Sequence, residues 1–534
     1  MSPACNTAAA VWALRLKHGL AQHVPKSAAV FKNIGSNWVV SLATMGAIYF
    51  ITPFTIHKLG DDGYGTWNLI NAITGYLALL ALGVPMASVR YFAEHVATGD
   101  QEKLNQAIGS CTALYLGLGA IALVVGAGLY FFFSAYNIPT PYSADARVAF
   151  CLIVVFVALG FVGLLPNGIL AAHDDFVPRN VVRLWGVLLR LVLTFGLLAL
   201  QASLTMLALV QLACLLFDFG LCWLLIRKRY PATRLTLADI NWGMTRSIFA
   251  FSLYVLVLNA GIRLSFETDS IVIGAFQNVR SIPYFTVANS FVVYLMEFII
   301  AIAAVVMPAA TRLKMRGKSA ELREVFLKWS KIAFSVTLVV SLFLIVLGPR
   351  FIAWWIDPSF EQPAGQVLEI LMISNLVFLP MRGVALPILM GLAKPGLPTI
   401  GFLAAGLVNL GLSILLVGPL GLAGVALGTA IPNVVFAILV HWQACRELDT
   451  PFLGSLRYIF ARALLGGIPV LALLVWFKQG LDVHGVRGLV AAGIAMMALV
   501  AVVWVWYVYR GDPYLDLRAR LRARLPRRKA LSQA

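Results

Sequence analysis

Charge is scarce in this sequence. Only 12% of its 534 residues are Asp, Glu, Lys or Arg, against roughly a quarter in soluble globular domains. The 41 basic and 23 acidic side chains are too few to coat a soluble protein of this length. That excludes a soluble enzyme, a nucleic-acid binder and a disordered chain. Cysteine is scarce too. The six present are scattered and form no CxxC pair, so neither a disulfide framework nor a metal site is indicated. The seven histidines are equally dispersed. No cofactor is implied. Acidic residues are the rarer charged class, and the net charge is +18.

Long polar loops are missing as well. The longest internal ones run to about 20 residues, the length of one span rather than of a domain. Neither a glycosyltransferase domain nor the large external loop of a polysaccharide polymerase has a place to sit. Lys318 lies in a Gly-Lys-Ser triplet, but Arg312 occupies the position where a phosphate loop needs Gly. No ATPase is expected within the chain. The N-terminal stretch does not read as a cleavable signal, because Arg15 and Lys17 break its short apolar run.

What is abundant is apolar sequence: 60% of residues are hydrophobic and the mean hydropathy is +0.87. Runs of about 20 residues cross a bilayer as helices. Such runs are predicted at 32–57, 66–87, 108–133, 147–172, 180–200, 204–226, 246–275, 283–308, 330–356, 365–391, 396–417, 421–445, 457–477 and 485–508. They lack the period-2 alternation of barrel strands and are too long for them. The expected fold is an all-α integral membrane protein with about 14 transmembrane helices. Placing the N-terminus in the cytoplasm leaves six basic residues outside: Lys58, Arg147, Arg280, Arg350, Lys478 and Arg487. Three more, Arg190, Arg263 and Arg382, lie within helices, and the other 32 fall inside. This asymmetry predicts that both termini are cytoplasmic.

Two halves resemble each other at an offset near 220. Tyr64 pairs with Tyr284, Pro85 with Pro308, Arg90 with Arg312, Gly99 with Gly317 and Pro178 with Pro398. Two six-helix lobes related as a parallel repeat are therefore expected. The predicted division is a tail at 1–31, an N-lobe at 32–230, a C-lobe at 231–446, an appendage of helices 13–14 at 447–510 and a basic tail at 511–534. Leu517, Leu521 and Leu525, with arginines between, suit a short helix lying on an anionic leaflet.

Ionisable groups at bilayer depth are costly and usually face a cavity or a partner. Arg190, Arg263 and Arg382 are the basic candidates for a cationic, anion-binding cavity, with a diphosphate as the natural ligand. Glu267, Asp269 and Glu297 are candidates for binding a coupling cation or proton. Arg263 and Glu267 share a helix face and can pair. The competing reading of all six is helix-to-helix tethering. Pro380, Pro387 and Pro432 are candidate helix kinks near Arg382 and in helix 12.

The stretch Asn33 to Asn105 resembles Wzx-like lipid-linked oligosaccharide flippases. These polysaccharide transporters belong to the multidrug/oligosaccharidyl-lipid/polysaccharide exporter superfamily. The residues that carry the likeness are Asn33, Ser36, Pro53, "LGDDGYGTWNL", Tyr76, Gly83, Arg90-Tyr91-Phe92-Ala93 and Leu104-Asn105. "ETDSIVIGAF" from Glu267 and "GPLGLAGVALGTAI" from Gly418 are further similar patches. The resemblance implies flipping of undecaprenyl-diphosphate-linked repeat units across the bacterial inner membrane by alternating access. The destination would be O-antigen, capsule or exopolysaccharide, with no enzymatic activity. Implied partners are the lipid-linked oligosaccharide, membrane lipids and the polysaccharide polymerase and chain-length machinery. Arg263 and Asp269 match positions where that family often carries charge. A cation-coupled multidrug antiporter and a lipid II flippase of the same superfamily are the alternatives.

Overall fold

The computed structural model describes residues 27–249, 268–480 and 485–518, less positions 82, 134, 135, 137, 393 and 395. Within them the regular structure is helical and contains no strand. The first helices are α1 (Ser27–Leu77), α2 (Val84–Thr98), α3 (Gln101–Phe133), α4 (Thr140–Ala172), α5 (Phe176–Leu200) and α6 (Leu204–Arg229). Then come α7 (Asp269–Phe276), α8 (Ile282–Met315), α9 (Ser319–Trp355), α10 (Glu361–Gly391) and α11 (Gly396–Glu447). The last are α12 (Phe452–Leu456), α13 (Arg462–Gly480) and α14 (Val486–Val503).

Eleven helical stretches among the described residues are long and apolar enough to cross a membrane. Two of them, Gly35–Thr98 with 64 residues and Gly396–Glu447 with 52, are long enough for two crossings each. Both are broken at a glycine in a conformation that other residues rarely adopt. Gly60 has φ 67° and Gly421 has φ 59°. The predicted crossing at 246–275 lies mostly outside the described residues. The other 13 predicted crossings fall on these stretches.

Several ends differ, and one of them hides a break. The predicted second span ran unbroken to residue 87. Instead α1 stops at Leu77, a 3-10 turn follows over Ala78–Ala81, and α2 begins at Val84. Pro85 explains the restart, because proline fits a helix's first turn and has no N–H to lose there. Arg90 therefore sits in a separate short helix. Gly99 closes that helix with φ 70°, and Gly317 closes α8 with φ 67°. These are two of the glycines paired by the internal offset.

The chain divides into two compact units. One takes in the described residues of Met1–Gly63, Ile73–Ser134 and Pro139–Leu256. The other takes in those of Tyr64–Ala72, Ala135–Ile138 and Val257–Ala534. In lipid, apolar contact between helices gains little hydrophobic free energy, so close packing and polar links hold the helices together. The first unit packs Phe92 of α2, Tyr115 of α3, Phe161 and Leu165 of α4 and Ile226 of α6 into one buried cluster. Its polar links include Asp145, whose carboxylate accepts from the amides of Leu204 (2.6 Å) and Thr205 (3.0 Å) and so caps α6.

In the second unit α13 and α14 lie along α9. Leu338, Leu342 and Leu347 of α9 share a buried cluster with Val470 and Leu474 of α13 and Ala492 and Met496 of α14. The last two crossings are therefore packed against α9. The start of the C-terminal tail is packed there too. Asp512 is 6% exposed, and Leu515 and Leu517 lean on the same cluster. Leu517, expected on the leaflet, leans on this cluster instead. Positions 519–534 of that predicted helix lie outside the described residues.

Candidate functional site

Among the described residues each unit holds a cluster of polar side chains that bears on function. In the second unit the cluster centres on Asp269, the first residue of α7, which is 3% exposed. Thr429 Oγ1 lies 3.0 Å from each of its carboxylate oxygens and donates to them. Asn409 Nδ2 donates to Thr429 Oγ1 at 3.1 Å, and Ser413 Oγ donates to Asn409 Oδ1 at 3.3 Å. Asn409, Ser413 and Thr429 are all buried. The chain of donors runs toward the carboxylate.

Helix packing explains how these groups meet. Asn409 and Ser413 are one turn apart before the break at Gly421, and Thr429 follows it. The two arms of α11 approach so closely that a Cβ on Gly428 would stand 2.7 Å from Ser413 N. Only glycine leaves that space. The glycine-rich patch from Gly418 is thus a packing device that delivers Thr429 to Asn409 and Asp269.

Among the described residues one hydroxyl holds this carboxylate, and a buried charge so held is expensive. It is stabilised by taking up a proton or a cation. The oxygens of Asp269, Thr429, Asn409 and Ser413 are hard donors of the kind that suit a hard cation.

In the first unit the cluster follows α5. At 3.6 residues per turn, Arg179, Arg183 and Arg190 fall within about 40° of one another and span about 16 Å of the helix. Arg183 and Arg190 are exposed, and Arg179 Nε donates to Asn167 Oδ1 of α4 at 2.8 Å. Exposed Val181, Trp185, Leu188 and Val192 lie on the opposite side of α5, about 180° round. The apolar face suits lipid, so the arginine stripe faces away from it. Asn180 fixes this rotation. It is 2% exposed and donates to Ser36 Oγ (2.8 Å) and Asn37 Oδ1 (2.7 Å) of α1. Asp218 of α6 lies within electrostatic reach of Arg179.

The remaining candidates are dispersed. Arg382 of α10 lays its guanidinium over Phe378 (5.5 Å) and Phe402 (5.2 Å), with Nε buried and lacking a hydrogen-bond partner among the described residues. Cation–π contact offsets part of that cost. The helix runs continuously through Pro380 and Pro387. Glu297 is exposed on α8 and joins no cluster with Asp269. Arg263 and Glu267 lie outside the described residues.

Several polar groups escaped the sequence reading. Arg179 and Arg183 were counted as loop charges, yet α5 starts at Phe176 and carries both. The steps of 4 residues from Arg179 to Arg183 and 7 from Arg183 to Arg190 were the available signal. Asp218 stands in the middle of an apolar run and was visible in the same way. Lys331, also counted with a loop, is 1% exposed in α9 and pairs with Asp512.

Comparison with known proteins now decides the family. The model of the polysaccharide biosynthesis protein family matches residues 30–314, more than half the chain. The chain belongs to that family. A second model, lipid II flippase MurJ, matches residues 278–491. The uncharacterized membrane protein EpsK of Bacillus subtilis is 22% identical over 83% of this chain and 87% of its own length. Among solved structures, an inward-facing multidrug resistance MATE family transporter of the MOP superfamily aligns with TM-score 0.67. It is 18% identical, over 75% of this chain and 94% of that one. Lipid II flippase MurJ in an inward closed conformation aligns with TM-score 0.64 and 14% identity, over 87% and 98%. The polysaccharide family member described here therefore has the multidrug/oligosaccharidyl-lipid/polysaccharide exporter fold, and it is a multi-pass membrane protein.

Proposed function

We propose that this protein flips undecaprenyl-diphosphate-linked oligosaccharide repeat units across the bacterial inner membrane for surface or exopolysaccharide synthesis. The observation that carries the reading is the stripe of Arg179, Arg183 and Arg190. Three guanidinium groups along one face, turned away from the lipid side, form a track for a polyanion. Guanidinium grips phosphate oxygens in pairs, and a diphosphate has more than one phosphate to grip. A drug/cation antiporter needs the opposite sign, so the stripe disfavours that alternative. A lipid II flippase carries the same diphosphate and differs in its sugar. Both termini are proposed to face the cytoplasm, as the loop charges predict.

The Asp269 cluster supports coupling. A carboxylate that takes up a cation or proton in one state and releases it in another ties transport to an ion gradient. Asn409, Ser413 and Thr429 supply oxygens beside it. Each lobe would then hold one half of the task, with the division of 32–230, 231–446 and 447–510 predicted above. Arg382 and, from its place in the sequence, Arg263 are proposed to add positive charge for the substrate. Glu267 and Glu297 are proposed as further coupling groups. The polymerase and chain-length machinery are the proposed receivers of the product.

The test is deletion in the host followed by complementation. Loss of surface polysaccharide with lipid-linked repeat units accumulating inside is the expected result. Complementation by Arg183→Glu/Arg190→Glu should fail although the protein reaches the membrane in normal amount. Full complementation by that variant would sink the arginine track.

A further inference from the structure

A cavity of about 590 Å³ lies in the second unit where α9, α10 and α13 come together, lined by Arg350, Glu369, Lys478 and Gln479. Ile345, Val346 and Val475 form its apolar side. It has no part in the Asp269 cluster or in the arginine stripe. Arg350 stands five residues before the end of α9, and Lys478 two before the end of α13. At 1.5 Å per residue those positions are about 8 and 3 Å from the helix ends. Glu369 is eight residues into α10, about 12 Å from its start. The cations therefore stand nearer the helix ends than the carboxylate does. Trp354 (40% exposed) and Trp476 (55% exposed) lie beside the two cations in sequence. Exposed indoles at helix ends mark the level where lipid headgroups lie. Two cations, one acid, an apolar wall and headgroup depth describe one kind of ligand, which would share Arg350 with an interaction that it already makes.

We propose that this cavity binds an anionic glycerophospholipid, its phosphate held by Arg350 and Lys478 and its upper acyl chain laid on Ile345, Val346 and Val475. Arg350 offers a planar fork to the phosphate and Lys478 a point charge. Glu369 lies deeper and limits the affinity by repelling the anion. Such a lipid would sit against α13 where it meets α9 and α10, and so seat the last two crossings in the bilayer. The site needs only that the chain spans a membrane and does not depend on what the protein transports.

The experiment is native mass spectrometry of the full-length protein in micelles, titrated with phosphatidylglycerol or phosphatidylcholine. One phosphatidylglycerol should be retained in preference to phosphatidylcholine. Arg350→Gln/Lys478→Gln should weaken that retention by about tenfold or more, the scale of losing charge-assisted contacts to a phosphate. Glu369→Gln should strengthen it. This second variant moves binding in the opposite direction, so a general loss of folding cannot imitate it. Equal retention of the two lipids, or no effect of the double variant, overturns the proposal. So does weakening by Glu369→Gln, which would mark the charges as a purely structural set. Displacement of the lipid by excess inorganic phosphate would show an anion site indifferent to lipid and would also overturn it. The assay reads binding alone, so its failure leaves the flippase reading standing, and a failed export assay leaves this site standing.

Discussion

Replacing Lys331 by Met would strand a buried carboxylate. In the native protein Lys331 and Asp512 pair with their side chains 2% and 1% exposed. Lys331 Nζ also donates to Val508 O at 3.2 Å and sits over the rings of Tyr458 (4.7 Å) and Tyr509 (5.1 Å). Asp512 accepts as well from Tyr458 Oη (2.9 Å) and from the amides of Tyr514 and Leu515 (3.0 Å each). The pair thus joins α9 to the turn before α13 and to the chain beyond α14. Breaking a buried pair by removing one partner costs about 3–5 kcal/mol. The remaining donors to Asp512 offset part of this, so Lys331→Met should cost about 3 kcal/mol, at the lower end of that range. Asp512→Asn should cost a similar amount, since it leaves the ammonium buried with only the carbonyl and the two rings. The double variant should then cost less than the two singles together, by about 2 kcal/mol, within the coupling found for residues in direct contact. Reversible denaturant titration in mixed micelles measures all four proteins. Additivity within about 0.5 kcal/mol, the behaviour of independent sites, would refute the coupling.

The same group sets a pH dependence. Burial pushes the Asp512 carboxyl up, but the hydrogen bonds from Lys331 and the Tyr514 amide, with the Lys331 charge and the Tyr458 hydroxyl, outweigh it and hold it below its ordinary 3.8. A depressed carboxyl stabilises the fold above its unfolded value and ceases to as pH falls through its folded value. The contribution is therefore intact at neutral pH and lost in acid below 3.8.

Other outcomes follow from the second unit. Gly428→Val should force the two arms of α11 apart at a cost of about 1–3 kcal/mol, the range for overpacking, and should lower export more than stability. Thermal unfolding in detergent and an export assay separate the two effects. Asp269→Asn keeps the size of the side chain and its hydrogen bond to Thr429. It should leave the protein folded while removing the dependence of transport on the coupling ion, read in proteoliposomes with an imposed gradient. Unchanged ion dependence would remove Asp269 from the coupling role. Arg382→Met should be stabilising or neutral, because it removes a cation whose Nε is buried with no partner among the described residues. A matching loss of export would place Arg382 with the substrate.

The crossings were legible because each is a local property. A run of apolar residues long enough for the bilayer needs no knowledge of its neighbours. The glycine breaks were partly legible, since Gly60 lies between two apolar runs and Gly421 opens one, though only the backbone shows their positive φ. Asp269 was singled out from its depth in the membrane. Its partners were not, because Asn409, Ser413 and Thr429 are ordinary polar residues in helices until α11 folds back on itself. Arg190 was found alone: Arg179 stood just before a helix start placed four residues late, and Arg183 was counted with the loop charges although the predicted run 180–200 contains it. Lys331 shows the limit most clearly. Its charge and its place near a helix end made it look like a loop lysine, and no local feature of Asp512, 181 residues away, pointed back to it.

By itself the sequence determined that this is a membrane protein of some 14 crossings, with few charges and most of them outside the apolar runs. That follows from hydropathy, which acts residue by residue against lipid. The tertiary structure decided which of those charges are paired and which face is presented. Rotation about each helix axis, set by links such as Asn180 to Ser36 and by close glycine contacts such as Gly428 to Ser413, turns an arginine toward or away from lipid. It also brings a carboxylate to a hydroxyl 160 residues distant. Such rotations are fixed only when helices far apart in the chain pack against one another.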